Sequence, residues 1–415
     1  MLLVKNRNYR LFFTANAVSN LGDGISILAF PWLATLITRD PLMISLVAAA
    51  TRAPWFLFSI PAGVLTDRAN RRRLMLQADT LRLLLTLGVV ALILSGPALP
   101  LPDGATQAQV MILGLAAAAF LLGSAEVIRD NAAQTSLPAI VKPKHLETAN
   151  GQMWSIEYVM GQFIGPPLAG MLIALAVPLP FAVDAVTFAI ALWCIWLIAM
   201  PGARMAALPE GLWPQLRQGI MWMWAHKTIL RLALMLGVLN MLHMMALTIL
   251  VLFSQDILGL SATGYGILLT AGAAGGVIGG LLAPRVVARL GSLNSLRLAL
   301  LLFPVPFLAI FVTSSPIIVA MALFIETSAG VLWNVVTVSL RQRSIPDQLL
   351  GRVNSIYRFF GWGTMPIGAL LGGAIVSLAE PELGRAAALR LPFVCAMVGC
   401  VMLGGYGFLR LRTKA

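Results

Sequence analysis

The sequence predicts an all-α integral membrane protein with twelve transmembrane helices. Of its 415 residues, 59% are hydrophobic and only 11% are charged, whereas soluble domains carry roughly 25% charged residues. No soluble fold buries so large an apolar fraction. Long apolar runs must be helical in lipid, because a helix satisfies its backbone hydrogen bonds within the segment.

Twelve apolar runs are long enough to cross a bilayer as helices, which takes ~20 residues each. The first run is too long for a cleavable signal peptide, so it is predicted as the first span. Together the runs cover about 11–38, 42–66, 74–96, 107–139, 147–176, 180–200, 228–256, 262–284, 295–313, 316–341, 350–378 and 385–410.

The positive charges set the predicted orientation. With both termini on the inner side, 22 of the 29 Lys and Arg residues lie in inner segments, and only Arg39, Arg385 and Arg390 lie in outer loops. Cytoplasmic loops carry such an excess. The net charge of +13 also suggests nucleic acid as a partner. However, the charges fall in short clusters between apolar runs and form no basic face, which argues against that partner.

The longest inner connection, residues 201–227, divides the chain into two halves. Pro201, Gly202 and Pro209 break any helix there, and residues 212–227 are predicted to form an amphipathic helix on the inner membrane face. We therefore expect an N-terminal six-helix bundle over 1–200, a linker over 201–227 and a C-terminal six-helix bundle over 228–415.

The two halves resemble each other in sequence. Gly63-x-Leu65-x-x-Arg68 recurs as Gly280-x-Leu282-x-x-Arg285, and Ser136-Leu137 recurs as Ser339-Leu340. Such a parallel repeat predicts two pseudo-symmetric bundles related by an axis along the membrane normal.

A basic segment joins the second and third runs. It reads Gly63-Val-Leu-Thr-Asp67-Arg68-Ala-Asn70-Arg71-Arg72-Arg73 and resembles motif A of the major facilitator superfamily. That motif usually has glycine where this chain has Asn70, a residue that also tolerates the left-handed conformation of a tight turn. The resemblance implies that Gly63, Asp67, Arg68, Arg71 and Arg72 control the conformational change of a transporter.

A second stretch, Gly161-Gln-Phe-Ile-Gly165-Pro166-Pro167-Leu-Ala-Gly170, resembles motif C of facilitator exporters. Small residues at every fourth position let helices approach closely, and prolines bend them. Close packing alone also explains these glycines, so packing and export both remain open.

Together with Arg129-Asp-Asn-Ala-Ala-Gln134, these motifs resemble the prokaryotic drug:proton antiporters, a branch that includes macrolide and siderophore exporters. The resemblance implies the major facilitator fold in a bacterial inner membrane, with alternating access and proton-driven export of a small amphipathic or lipophilic compound. It further implies a monomer that uses no cofactor or metal and is not an enzyme. The alternatives are a lipid or lysolipid translocator and a non-transporting sensor or scaffold. The chain has no phosphate-binding loop for nucleotide-driven transport.

Ionisable residues within the spans are candidates for proton coupling, because they are costly to keep in lipid. We select Asp23, Glu126, Arg129 and Glu326. Asp23 has glycine on both sides and no nearby cation in the sequence, so burial favours a carboxyl group that carries a proton; a structural carboxylate is the alternative. Glu126, Arg129 and Asp130 share a helical face, and we expect them to neutralise one another, to form a proton relay or to contact a charge on the substrate.

The resemblance places the substrate cavity between spans 1, 4, 7 and 10. Asn240, His243, Met244 and Asn334 are the expected lining residues from spans 7 and 10. A histidine there also titrates near neutral pH, although a hydrogen-bonded packing role is the commoner one. Asp79 with Arg82 is expected to be a structural pair.

Overall fold

The computed structural model describes residues 2–102, 106–199 and 212–411, and these residues are almost entirely helical. The longer helices are Arg7–Ile37, Pro41–Arg68, Arg71–Ser95, Thr106–Ile140, Leu146–Tyr158, Gly165–Leu175, Leu179–Trp196, Leu212–Ala225, Lys227–Asp256, Ala262–Leu302, Pro304–Val312, Pro316–Ser344, Asp347–Gly363, Met365–Leu383 and Leu391–Arg410. Short helices cover Leu2–Lys5, Pro143–His145 and Arg385–Ala388, and a π-helix covers Val159–Ile164.

Eleven helical stretches of the described chain are long and apolar enough to cross a membrane. One of them, Ala262–Val312, has 51 residues, which is about twice the length that a bilayer requires. Gly291 interrupts it with φ 73° and ψ 167°, a conformation that favours glycine. This stretch therefore holds predicted spans 8 and 9, and the twelve-span prediction agrees with the eleven stretches.

Spans 1 to 12 are named below in chain order. Span 1 is Arg7–Ile37, span 2 Pro41–Arg68, span 3 Arg71–Ser95, span 4 Thr106–Ile140, span 5 Pro143–Leu175, span 6 Leu179–Trp196, span 7 Lys227–Asp256, span 8 262–290, span 9 292–312, span 10 Pro316–Ser344, span 11 347–383 and span 12 Leu391–Arg410.

Asparagine side chains cap the N-terminal ends of two of the spans. The Asn6 side chain accepts a hydrogen bond from the Tyr9 amide, and the Asn70 side chain accepts one from the Arg73 amide. Each bond satisfies one of the free N–H groups at a helix start. Asn70 has φ −69° and ψ 108°, so the left-handed conformation considered for it is wrong. Its place in the turn is explained by capping.

Two prolines account for a local change of helix type in span 5. Pro166 and Pro167 have no N–H to donate to the carbonyl groups one turn earlier. The chain forms a π-helix over Val159–Ile164, in which the Gly165 amide donates to the Met160 carbonyl five residues back. The bend predicted from these prolines therefore takes the form of one π-helical turn.

The described residues form two compact units. Unit 1 contains the described parts of 1–39, 50–207 and 261–267, and unit 2 contains those of 40–49, 208–260 and 268–411. Within unit 2, helix Leu212–Ala225 packs on Asp347–Gly363: Gln218 accepts a hydrogen bond from Arg352, and Met223 is buried. Trp224 of the same helix is 66% exposed. The breakers Pro201, Gly202 and Pro209 lie outside the described residues.

Large apolar side chains lie on the outer surface of the helices, and several charged side chains are buried between them. Leu175 and Leu378 are 77% and 81% exposed, whereas Asp79 and Arg82 are 0% and 2% exposed. Large apolar side chains on the outer surface of long helices suit hydrocarbon surroundings. Buried charges in such a protein face the helix bundle and each other.

Candidate functional site

The candidate site of unit 1 is a buried charge cluster formed by Asp23, Asp79, Arg82, Arg129 and Asp130. Arg82 lies at its centre. Its guanidinium group pairs with the Asp23 carboxylate, donates to the Ser19 hydroxyl at 3.0 Å and lies 3.7 Å from Asp79 Oδ1. Its Cζ also lies 4.0 Å from the centre of the Phe188 ring, a distance at which a ring face attracts a cation.

Arg129 connects the same cluster to the start of span 1. Its Nη1 donates to Asn16 Oδ1 at 2.6 Å, and its Nε lies 3.6 Å from Asp79 Oδ1. A third carboxylate, Asp130, lies 3.5 Å from Nη1. Asp79 thus lies between two arginines, which offsets the cost of removing its charge from water.

The structure corrects two expectations about these residues. Asp23 was expected to have no compensating cation, yet Arg82 of span 3 pairs with it. Arg129 was expected to neutralise both Glu126 and Asp130. It pairs with Asp130 as expected, but its other partner is Asp79 and not Glu126. No hydrogen bond or ion pair joins Glu126 to another residue of the described chain. The expected Asp79–Arg82 pair is present at 3.7 Å.

Carboxyl groups outnumber guanidinium groups inside the first six spans. The described carboxyl groups well inside these spans are Asp23, Asp79, Glu126, Asp130, Glu157 and Asp184, and the guanidinium groups are Arg52, Arg82 and Arg129. Burying uncompensated negative charge is expensive, and a carboxyl group avoids the cost by binding a proton. The cluster is therefore chemically suited to hold protons.

A cavity of about 170 Å³ opens beside the cluster near the first turns of span 1. Its lining includes the polar residues Asn16, Asn20, Arg129, Asp130, Asn150 and Glu157 and the aromatic residue Trp154. Of the selected coupling residues, only Arg129 lines this cavity. The asparagines were not selected from the sequence, although Asn16 and Asn20 stand one turn apart on the same face of an apolar helix.

Unit 2 contains a separate polar pair. His243 Nδ1 lies 2.7 Å from Glu326 Oε1, and the side chains are 39% and 8% exposed. Asn240, one turn before His243, donates to the Gly361 carbonyl at 2.8 Å. Asn334 is exposed, whereas Met244 is 5% exposed and packs with Ala49 and Ala369. Met244 therefore offers little surface to a substrate.

The arginines of motif A bind the ends of neighbouring helices in unit 1. Arg71 Nη1 donates to the Thr135 carbonyl at 2.7 Å, and Arg72 donates to the carbonyls of Ile195 and Trp196. The last two carbonyls stand at the C-terminal end of span 6, where intrahelical donors are missing and cations are favoured. The side chains of Asp67 and Arg68 lie outside the described part of the structure.

The glycines of the motif C segment make close helix contacts in unit 1. A Cβ on Gly165 would lie 2.5 Å from the Cα of Gly24, and one on Gly24 would lie 2.5 Å from the carbonyl oxygen of Gly161. A Cβ on Gly170 would lie 2.4 Å from the carbonyl oxygen of Ala262. A packing role for these glycines is therefore visible in the geometry, as is typical of small residues at helix crossings.

Comparison with known proteins identifies the family. The model of the transmembrane secretion effector family, a major facilitator group, matches residues 3–404. The multidrug efflux pump Tap of Mycolicibacterium fortuitum is 26% identical over 97% of each chain. Tap of Mycobacterium tuberculosis is 24% identical over 98% of this chain and 95% of its own.

A solved structure shows the fold. The nucleoside transporter NupG has a TM-score of 0.74 and 11% sequence identity, with 99% of this chain and 100% of that chain covered. The predicted major facilitator fold is thus confirmed. Together with the match over residues 3–404, this similarity shows that the chain belongs to the transmembrane secretion effector family of the major facilitator superfamily.

Proposed function

We propose that this protein is a proton-coupled exporter of small amphipathic or lipophilic compounds in the bacterial inner membrane. Its family and fold are those of membrane transporters, and two relatives of nearly equal length are named multidrug efflux pumps. Both termini lie in the cytoplasm in this proposal, because Lys and Arg are concentrated in the inner segments. The protein acts as a monomer, with protons and the transported compound as its partners.

The excess of carboxyl groups in unit 1 carries the proposal. Six carboxyl groups and three guanidinium groups of the described chain lie well inside spans 1–6, away from the charged helix ends, so some of these acids are neutral or become neutral during transport. Movement of one charge across 100 mV is worth about 2.3 kcal/mol. A buried acid that binds and releases a proton gives the protein access to that energy.

Asp23 is the acid best placed to exchange this proton. Its side chain is 26% exposed, whereas its partner Arg82 is 2% exposed. The carboxylate is therefore the more accessible member of the pair. When Asp23 binds a proton, its ion pair with Arg82 is lost. Arg82 still has a carboxylate partner, because Asp79 Oδ1 lies 3.7 Å from its guanidinium group. The cluster thus has two arrangements that differ by one proton, which is the requirement for coupling a gradient to a conformational equilibrium.

Glu126, Arg129 and Glu326 have supporting roles in this proposal. Glu126 has no paired cation in the described chain, and Arg129 keeps Asp79 and Asp130 compensated. Glu326 forms a separate acid–base contact with His243 in unit 2. Asn240, His243 and Asn334 contribute polar contacts for the compound, and Met244 supports them through packing.

A resistance screen tests export. A strain that lacks the gene is transformed with the wild type, with Asp23→Asn or with an empty vector, and is exposed to a panel of toxic lipophilic and amphipathic compounds. We expect wild type to raise the tolerated concentration of at least one compound, and Asp23→Asn at equal expression to fail to do so. Equal sensitivity of all three strains across the panel would contradict the proposal.

A further inference from the structure

One buried acid of unit 1 takes no part in the charge cluster. Asp184, on span 6, is 1% exposed. No arginine, lysine or histidine nitrogen of the described chain lies within 4.0 Å of its carboxyl group. Gly22 of span 1 lies against Asp184 Oδ1, and a Cβ at Gly22 would overlap that oxygen. The fold therefore makes room for this carboxyl group without providing a cation for it.

The hydroxyl groups around Asp184 indicate its protonation state. Ser26 Oγ donates to Asp184 Oδ2 at 2.9 Å. Thr187 Oγ1 lies 2.7 Å from the backbone carbonyl of Asp184 and 3.4 Å from Oδ1. A hydroxyl group has one hydrogen, and the shorter distance assigns that of Thr187 to the carbonyl. An ionised Oδ1 would then face the lone pairs of Thr187 Oγ1, whereas a protonated Oδ1 can donate to them.

The charged groups on the neighbouring helices leave Asp184 uncompensated. Span 6 packs on spans 1 and 3 and on the Gly165–Leu175 helix of span 5, which has no titratable side chain. Span 1 contributes Asp23, and span 3 contributes Asp79 and Arg82. Arg82 is already paired with both aspartates. Its guanidinium group lies over Phe188, one helical turn from Asp184.

We propose that Asp184 is a second proton-binding site, occupied at neutral pH, with the proton on Oδ1 and directed at the Thr187 hydroxyl. It is distinct from Asp23, whose charge is matched by Arg82. As a deepening of the proposed function, the site means that this half of the transporter holds one proton beyond the one exchanged at Asp23. A neutral Asp184 also leaves the pairing of Arg82 undisturbed.

Infrared spectroscopy of the purified protein in lipid vesicles tests the proposal without any transport measurement. At neutral pH the spectrum of wild type minus that of Asp184→Asn should contain the carbonyl stretch of a protonated carboxylic acid, and the band should shift in D₂O. Asn retains both contacts, since its oxygen accepts from Ser26 and its NH₂ group donates to Thr187. Glu380→Gln, a change at a partly exposed acid paired with Arg385, is the control and should leave the band unchanged.

A second variant tests the same assignment should Asp184→Asn fail to fold. Ser26→Ala removes the donor to Oδ2 and should shift the frequency of the same band without removing it. Absence of an acid band from the Asp184→Asn difference spectrum at neutral pH, or a band that Ser26→Ala leaves unshifted, would overturn the proposal. Neither readout depends on proton-coupled export, so failure of the proposed function is measured separately.

Discussion

Replacement of Arg82 by glutamine tests whether the charge cluster has been assigned correctly. Arg82 is 2% exposed and is the cation beside Asp23. Without it, Asp23 must remain as an unpaired buried charge, which costs about 3–5 kcal/mol, or bind a proton. For an aspartic acid of ordinary pKa, ~3.9, adding a proton at pH 7 costs about 4 kcal/mol at 1.36 kcal/mol per pH unit. Both routes predict that the free energy of unfolding of Arg82→Gln is about 4 kcal/mol lower than that of the wild type at pH 7.

The pH dependence of this loss distinguishes the cluster from ordinary packing. At pH 5, protonation of the Asp23 carboxylate costs only about 1.5 kcal/mol. The destabilisation of Arg82→Gln relative to wild type should therefore become smaller as the pH falls. Asp79 contributes less, because Arg129 still lies 3.6 Å from it. The double variant Arg82→Gln/Asp23→Asn carries no unpaired Asp23 and should recover most of the loss.

The free energy of unfolding is measured by denaturant titration in mixed micelles at pH 7 and pH 5, for the wild type, both single variants and the double variant. Arg385→Gln is the matched control. Arg385 also bridges two acids, Asp256 and Glu380, but it is 28% exposed, and such pairs are worth about 0–1 kcal/mol. A loss for Arg82→Gln that is no larger than the control's, or one that is equal at both pH values, would refute the assignment.

Three further predictions concern packing, motif A and orientation. Gly24→Ala should destabilise unit 1, because the added Cβ would lie 2.5 Å from the Gly161 carbonyl oxygen. Gly63→Ala should leave stability unchanged, because a Cβ added there would have no other atom within 4 Å. The free energies of unfolding of the two variants, measured by denaturant titration, test this difference. Asp67→Asn should lower transport several-fold while membrane insertion and substrate binding are retained. The contacts of a carboxylate with a helix end or an arginine are worth about 0.3–2 kcal/mol, which is enough to shift a near-balanced conformational equilibrium. Transport flux measured at equal expression tests this prediction. A tag after Ala415 should resist labelling from outside intact cells.

Hydropathy was enough to predict the spans, and local polar residues were enough for some helix ends. The length of an apolar run is set by the bilayer, so the runs agree with helices such as Lys227–Asp256 and Pro316–Ser344. The break at Gly291 explains why one continuous helical stretch contains two predicted spans. The role of Asn70 was predicted less well, because a cap and a left-handed turn both favour asparagine.

The pairs that join different spans within the charge cluster could not be predicted from the sequence. Asp23 and Arg82 lie 59 positions apart, and they meet only because spans 1 and 3 both pack on span 6 in the folded protein. Helical periodicity placed Glu126 and Arg129 on one face, but side-chain direction and the carboxylates of other spans decide which pair forms. Asp184 has no cationic residue nearby in the sequence, and its hydroxyl partner Ser26 comes from another helix.

The most direct test of the account is proton-driven transport by reconstituted protein. Vesicles with an imposed pH gradient, loaded with a compound from the resistance screen, should show uphill transport by the wild type. Asp23→Asn mimics the protonated acid and should only exchange the compound down its own gradient, with Glu126→Gln affected less. Full uphill transport by Asp23→Asn, or wild-type transport that is equal with and without the pH gradient, would contradict the proposed proton coupling.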